Sequence, residues 1–538
     1  MTIFKSAYPP VEIANEAFGD RLMAALQANA VNNPDKKALV DAEDDRIGVT
    51  YYQLYSSGLS IAAFLEEQNF GHKDMACVVL HNCWEWVPIF AGCSLQGGTV
   101  SGINVMFTVH ELERQFLDYK PKIVFCSDSS LEKVLKAARN CSTIRTIVVV
   151  DTPTSEDYSS GVHRFSNALK TPLPKETKKK NINVNEDIVV LPYSSGTTGF
   201  PKGVMITHKN FGTMMNITID YINNYIYKDL DVNGTNDNLI MISPFCHNYG
   251  FGILMQTLIN GRTGVIMNHF DPELFFRSIE KFTFTTLALL ISLAKHPLVS
   301  KYDLSTLEIV ISTGASVGKD ISDEIYKKHP NLKHVLQGYG MTELYFTHLP
   351  DVKHYRPGSV GRIVALTEMK IIDVETGREL GVKQKGEILL RGPTVMLGYL
   401  NKPQATAETI DENGWFHTGD IGYIEEDGSL FIVERLKELI KVGGVQVAPA
   451  ELEGVLLGHP EIKDAAVIGV PDPVMGEVPK AFVVRVNDRL TEKQVQEFVK
   501  ERVSDYKQLK GGIEFINEIP KSSIGKILRR FLKEKPLN

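Results

Sequence analysis

Between residues 76 and 150 the chain alternates short apolar runs with longer segments of helical pattern. That alternation constrains the fold more than any other feature. Ala76-Cys77-Val78-Val79-Leu80, Lys122-Ile123-Val124-Phe125-Cys126 and Thr146-Ile147-Val148-Val149-Val150 read as buried strands. Between them, Thr108-x-x-Glu111 and Ser129-x-x-Glu132 have capping-box spacing, in which a hydroxyl accepts from the third amide on and the acid reaches back. Pro121 stops the first of these helices. Helices between short strands return the chain in one direction, which predicts right-handed crossovers and a largely parallel sheet. An antiparallel α+β arrangement is the alternative.

Thr171 to Asn183 is a polar, proline-containing linker whose lysines read as a solvated run. Beyond it, Asp187 to Pro192 is a strand, and Ile309-Val310-Ile311, His334-Val335-Leu336, Glu387 to Leu390 and Leu430 to Val433 are further strands. The last hundred or so residues read as self-contained. They hold a helix from Ala450 to Leu457, strands at Ala465 to Val470 and Ala481 to Val486, and a helix capped by Thr491-x-x-Gln494 with apolar Val495, Phe498, Val499 and Val503. The junction falls at Arg435-Leu436-Lys437-Glu438, giving units 1–435 and 436–538. The expected class is α/β: a large N-terminal domain of mainly parallel sheets with flanking helices, then a small α+β C-terminal domain.

Composition narrows the function classes. The 538 residues are 43% apolar with a net charge of −7, which argues against a general nucleic-acid binder. No apolar run reaches the roughly 18 residues a membrane span needs; Leu287 to Ala294 is too short. The start carries no secretory core. The six cysteines form no C-x-x-C pair and read as reduced thiols, and the sequons at Asn140, Asn216 and Asn233 read as chance. The end, Lys535-Pro536-Leu537-Asn538, is not a Ser-Lys-Leu peroxisomal address, so the cytosol is the default compartment. Oligomeric state is not legible.

The strongest local signal is Ser194-Ser195-Gly196-Thr197-Thr198-Gly199-Phe200-Pro201-Lys202-Gly203, which follows a strand. Glycines turn backbone N–H groups toward an anion, hydroxyls add donors and a lysine adds charge, so the string is suited to phosphate. It is not the kinase and ATPase P-loop, because Pro201 precedes the lysine.

This string resembles the phosphate loop of adenylate-forming enzymes, the family of acyl-CoA synthetases, 4-coumarate–CoA ligases, beetle luciferases and peptide-synthetase adenylation domains. Further motifs of that family follow in order. They are His247-x-Tyr249-Gly250-Phe251-Gly252, Gly314-Ala315, Gly338-Tyr339-Gly340-Met341-Thr342-Glu343, Trp415-Phe416-His417-Thr418-Gly419-Asp420, Glu434 to Lys441, and Pro520-Lys521-Ser522-Ser523-Ile524-Gly525-Lys526. Together they cover nearly the whole chain.

The resemblance implies ATP, Mg²⁺ and coenzyme A as co-substrates, with a small carboxylic acid as partner. Ser194 to Gly199 and Lys202 would hold ATP phosphates, and Lys526 would bridge the acid and the α-phosphate. Glu343 would bind the metal, with Thr342 on phosphate. Gln337, Gly338 and Tyr339 would flank adenine, with Gly314 and Ala315 near nucleotide and acid. Asp420 would take the ribose hydroxyls and Arg435 the ribose or a phosphate. His247 would stand at the mouth of an acid pocket with Tyr249, Phe251, Met341 and Phe346; a satisfied core histidine and plain helix core are the structural alternatives. Lys437 would be the hinge of a mobile C-terminal domain, whose other pose turns Lys441, Gly443 and Gly444 toward coenzyme A. Where many relatives have Lys-Gly this chain has Gly443-Gly444, and where many have a cation it has His269; Ser316 replaces a common proline.

The implied reaction is ATP-dependent acid–CoA ligation. A carboxylate attacks the α-phosphorus, pyrophosphate leaves, and the acyl-AMP passes its acyl group to the thiol of coenzyme A. Both first reactants are anions, and two unit charges 4 Å apart repel by about 4 kcal/mol at an effective dielectric of 20, so cations must converge there. The reading favours a medium- or long-chain fatty acid, because Gly386 to Gly392 lacks the cysteine typical of plant coumarate ligases. A hydroxycinnamate is the alternative acid. A luciferase-type monooxygenase and a non-catalytic nucleotide-binding homologue are the alternative functions. Leu344-Tyr345-Phe346 is bulkier than the small residues often found there, so it either narrows the acid pocket or belongs to the core.

Overall fold

A computed structural model describes residues 2–151, 158, 161–173, 180–194, 201–228, 238–282, 286–287, 293, 296–312, 319–350, 352–435, 438–442, 445–473, 475–503, 505–521 and 527–533. The expected parallel sheet is present in the first third. Strands Ile188–Val190, Thr99–Gly102, Met75–Val79, Ile123–Ser127, Thr146–Val150 and Val162–Arg164 lie side by side in that order, each parallel to the next. The helix Val109–Tyr119 connects two of them. Its Thr108–Glu111 capping box is formed, and it ends at Lys120, left-handed with φ 52°, just before Pro121. The second predicted cap differs. Ser129 sits inside a 3₁₀ turn, Asp128–Ser130, and helix Leu131–Ala138 starts after it without a side-chain cap. The serine cluster explains this, since Ser127 Oγ is spent on the hydroxyls of Ser129 and Ser130.

Two further sets of parallel strands follow the same logic. Asn238–Met241, Thr263–Ile266 and Lys37–Asp41 form one, and Thr286–Leu287, Ile309–Ser312 and His334–Gln337 form the other. Beyond residue 338 the pattern changes. Tyr339–Met341, Tyr345–Leu349 and Arg362–Ile363 are antiparallel, and so is the sheet of Phe4–Lys5, Glu368–Ile372, Gly386–Arg391, Phe416–Ile424 and Leu430–Arg435. The class is α/β, and its sheets are mixed rather than mainly parallel. Some of these strands follow one another through short turns, as Phe416–Ile424 and Leu430–Arg435 do, and a short turn permits only antiparallel pairing. The last sheet draws only on residues after 439: Val445–Val447, Ile440–Val442, Gly476–Arg485, Ile462–Asp472 and Ile513–Phe515. Helices Pro449–Leu457 and Glu492–Lys500 pack on it; the second has its Thr491 capping box and ends before Val503.

The main core forms where helix Trp86–Leu95 is sandwiched between helices Phe18–Asn32 and Tyr51–Glu67. It is apolar on all sides, as a fully enclosed helix must be. Gly92 permits that closeness, because a Cβ there would stand 2.7 Å from Ile61 Cγ2. Phe90 meets Phe251 at 4.8 Å, and Phe251 meets Phe211 at 5.7 Å, so the core runs into helix Asn248–Ile259. Among the described residues no helix is long and apolar enough to cross a membrane.

His208 is fully buried in this core, and its Nδ1 accepts the Phe18 N–H at 3.0 Å. Burial pushes its pKa down to about 4. The folded ring therefore stays neutral where an unfolded histidine takes a proton below about 6.5. The native state binds fewer protons in that window, so this contribution to stability is present above pH 6.5 and is lost as pH falls toward 4. We expect unfolding free energy to fall by up to about 1.4 kcal/mol per pH unit from this one site. A His208→Asn variant, which keeps an acceptor for Phe18, should show that much less slope in urea melts run between pH 6.5 and 4.5.

Candidate active site

The phosphate-type string begins and ends on paired strands. Tyr193–Ser194 and Lys202–Thr207 pair antiparallel, with Ser194 opposite Lys202. Ser195, Gly196, Thr197, Thr198 and Gly199 lie outside the described residues, as do Gly314, Ala315, Lys437, Gly443, Gly444 and Lys526. The residues flanking them are well placed. Lys202 Nζ stands 4.8 Å from the centroid of the Tyr399 ring. The Tyr399 hydroxyl donates to Glu343 Oε1 at 2.9 Å, and burial followed by the Glu343 charge keeps that phenol protonated. The Met396 amide holds the Glu343 carbonyl at 2.8 Å. One cation, one phenol and one acid thus meet at the start of strand Lys202–Thr207.

The Glu343 side chain carries a test of metal fit. Among the described residues its Oε2 has no hydrogen-bond partner, although the residue is buried to 9% exposure. One oriented, half-free carboxylate suits magnesium, which takes one or two carboxylates plus phosphate oxygens and water. No group of three or more acidic, histidine or cysteine ligands exists among the described residues. A dedicated all-protein metal cage is therefore absent from them, and the ligand set fits an ion shared with phosphates.

A second cluster lies at the start of the segment Tyr339–Glu343, whose end is Glu343. Strands Ile309–Ser312 and His334–Gln337 are parallel with Ser312 opposite Gln337, so both leave their sheet at the same end. Gln337-Gly338 then leads into Tyr339, and ligand sites gather at such carboxyl ends. The Tyr339 hydroxyl donates to Asp420 Oδ2 at 2.6 Å. Burial, then the Asp420 charge, holds this phenol well above its ordinary pKa, so it remains a donor. Arg435 Nε pairs with Asp420 Oδ1 at 3.0 Å from the neighbouring strand. Burial opposes the guanidinium charge there, and Asp420 with nearby acids outweighs it.

A bulge aims Asp420. Opposite Glu387 to Leu389 the register slips, and Thr418, Gly419 and Asp420 stand out of the ladder. Gly419 adopts φ +67°, Thr418 Oγ1 donates to the Ile388 carbonyl, and the Asp420 amide donates to Thr418 Oγ1. A carboxylate is an acceptor at two oxygens, the chemistry that suits a diol.

His247 precedes helix Asn248–Ile259 and is neutral, its pKa lowered by burial. It lines a cavity of about 280 Å³, open mouth included, together with Phe251, Trp86, Gly102, Pro192 and Cys246. Tyr249 and Phe346 meet edge-on at 5.7 Å elsewhere on the helix, with Met341 packed nearby in the core. Lys441 is exposed on the C-terminal sheet, its amide on Glu477. His269 is exposed near His81, whose pKa is lowered by burial first and by His269 next.

Three positioning residues escaped the sequence reading. Asn82, 4% exposed, donates to the carbonyls of Met241 and Ser243 at 3.1 Å each and accepts the Phe245 amide at 2.8 Å. It clamps the loop that ends in His247. Asn248 Nδ2 donates to the Thr342 carbonyl at 3.1 Å, tying that helix to Thr342-Glu343. Tyr399 orients Glu343. The available signal for Asn82 was its place just past a parallel strand's carboxyl end. Nothing local marked the other two.

With this geometry in hand, the likeness to known proteins is extensive. A model of the AMP-binding enzyme family matches residues 26–400, and one of the AMP-binding enzyme C-terminal domain matches residues 451–526. The 4-coumarate–CoA ligase 1 of Solanum tuberosum is 38% identical over 549 residues, covering 99% of this chain and 96% of that protein. A luciferin 4-monooxygenase of Nipponoluciola cruciata is 39% identical over 481 residues, covering 87% and 86%. The crystal structure of ATP-bound MatB from Rhodopseudomonas palustris superimposes with TM-score 0.84 at 26% identity, covering 96% of this chain and 99% of that one. The chain belongs to the AMP-binding, adenylate-forming enzyme family.

Tyr339→Phe keeps the ring and removes the donor to a buried carboxylate. A hydrogen bond to a charged group contributes about 1.5–3 kcal/mol, so the variant should lose about that much in denaturant titration. An unchanged midpoint would mean that Asp420 is held without Tyr339.

Proposed function

We propose that the protein is an AMP-forming acid–CoA ligase that uses ATP, Mg²⁺ and coenzyme A. Family membership supports adenylate formation, and the curated relatives include many 4-coumarate–CoA ligases. The single observation that carries the reading is the convergence on one turn: Tyr339 at its start holds Asp420, and Glu343 at its end is held by Tyr399, whose ring faces Lys202.

In this reading Asp420 accepts from the ribose hydroxyls while Arg435 fixes its orientation and adds a cation. Tyr339 presents its ring to adenine beside Gln337 and Gly338, with Gly314 and Ala315 against the nucleotide. Ser194 to Gly199 and Lys202 hold the phosphates, joined by Thr342. Glu343 would hold magnesium, which when bound supplies charge neutralisation at the phosphate oxygens. His247, kept neutral by burial, stands where a carboxylate enters and adds no competing charge. Lys526 brings an ammonium between the acid oxygen and the α-phosphate. The acid oxygen bonds to phosphorus, the bond to pyrophosphate breaks, and the thiol of coenzyme A then displaces AMP from the carbonyl carbon, losing its proton.

The reading divides the chain at residues 435 and 436, with Lys437 as hinge and Lys441, Gly443, Gly444 and His269 facing coenzyme A. Support comes from the two family matches, which leave 401–450 between them, and from the last sheet, which takes no strand from earlier residues. Arg529 ties that unit's end to its beginning, pairing with Glu453 at 2.7 Å and Glu438 at 2.7 Å. The acid is an apolar monocarboxylate. The 38% identity to 4-coumarate–CoA ligases makes the hydroxycinnamate reading comparable with the fatty-acid one.

Incubation with ATP, Mg²⁺ and a panel of acids should release pyrophosphate in an acid-dependent way, and adding coenzyme A should yield AMP and thioester. No release with any acid would leave a non-catalytic homologue; light from luciferin and oxygen would indicate the monooxygenase. Lys526→Ala should slow adenylation at least ~10²-fold, the cost of losing one oriented transition-state donor. Near-normal pyrophosphate release from that variant would remove Lys526 from the step.

A further inference from the structure

Tyr345 adopts φ +64°, the left-handed region that bulky residues avoid. Glycine surroundings on two sides accommodate it. Its hydroxyl lies over Gly252 of helix Asn248–Ile259, where any Cβ would overlap it. Its carbonyl lies against Gly340, where a Cβ would again overlap. The ring is buried, meets Phe346 edge-on at 4.8 Å, and Phe346 in turn meets Tyr249 edge-on at 5.7 Å. Filling a core does not require a disfavoured backbone, since an apolar residue at ordinary φ does it without strain. Strain kept in place next to Glu343 points instead to a role at the site.

The geometry assigns Tyr345 as a specificity-determining residue: it ends the acid pocket at helix Asn248–Ile259, so that of the two acid readings above it selects the aliphatic one at its short-chain end and excludes arylpropenoic and long-chain acids. This rests on the ligase reading above. The reacting carboxylate must lie by Glu343, two residues upstream of Tyr345 in the chain. From there, the space between strand Tyr345–Leu349 and the helix that carries Tyr249 is occupied by the rings of Tyr249, Tyr345 and Phe346. A longer acyl tail would have to displace a ring whose hydroxyl is seated over Gly252. The helix has little room on its other side, because at Gly250 in its first turn even an added Cβ would overlap the carbonyls of Ser243 and Pro244. A hydrophobic pocket distinguishes one methylene by about 10–200-fold, so a blocked pocket end should discriminate at least as strongly.

Butanoyl-, 4-coumaroyl- and dodecanoyl-sulfamoyl adenosine test this by calorimetry on the full chain, beside pyrophosphate release with the three free acids. The wild type should bind the butanoyl analogue at least ~10-fold more tightly than either larger one. Tyr345→Gly, which suits the positive φ, should gain at least ~10-fold for the 4-coumaroyl analogue, and Tyr345→Phe should keep the wild-type order. Equal or tighter wild-type binding of the larger analogues overturns the proposal. So does an unchanged order in Tyr345→Gly with a cooperative melt. Size-independent binding accompanied by acid-dependent pyrophosphate release refutes the stopper alone; no binding and no release refutes the ligase reading and the stopper with it.

Discussion

The buried carboxylate of Asp420 is the interaction on which the rest of the site depends. It sits on a strand of the antiparallel sheet, receives the Tyr339 hydroxyl from a different small sheet, and pairs with Arg435 on the adjacent strand. A charge this deep costs several kcal/mol unless donors surround it. Its two named partners meet that requirement and at the same time fix where three strands stand. Arg435 is also the last residue of strand Leu430–Arg435, so the same ion pair fixes where that strand ends.

A second layer of constraint runs through uncharged amides. Asn82 holds the loop before His247, and Asn248 holds the carbonyl of Thr342. These contacts connect the first parallel sheet, the helix Asn248–Ile259 and the turn bearing Glu343. A small shift in any of the three would move His247 relative to Glu343. Reaction rate is sensitive to such shifts, because positioning supplies much of the catalysis in an in-line displacement.

Legibility in the sequence followed the range of the interaction. The strands at 76–80, 122–126 and 146–150 and the capping boxes of Thr108 and Thr491 rest on neighbours in the chain, and all are present. Ser129 was misread because nearby hydroxyls satisfied one another, a competition that spacing does not reveal. The direction of the later strands was left open, because a strand's own residues do not state the direction of its partner. Of the site, Tyr339, Glu343, Asp420, Arg435 and Lys202 were each picked from short strings; Tyr399, Asn82 and Asn248 were not.

Sequence alone therefore determined the class of fold, the order of the motifs and the types of charge the chemistry employs, because each is carried by residues close together in the chain. Tertiary structure alone decided which groups are joined. Tyr339 and Asp420 lie 81 positions apart, and Tyr399 and Glu343 lie 56 apart. It also decided that Tyr345 is turned against Gly252, since a side chain's room is set by the element packed across from it rather than by its own neighbours.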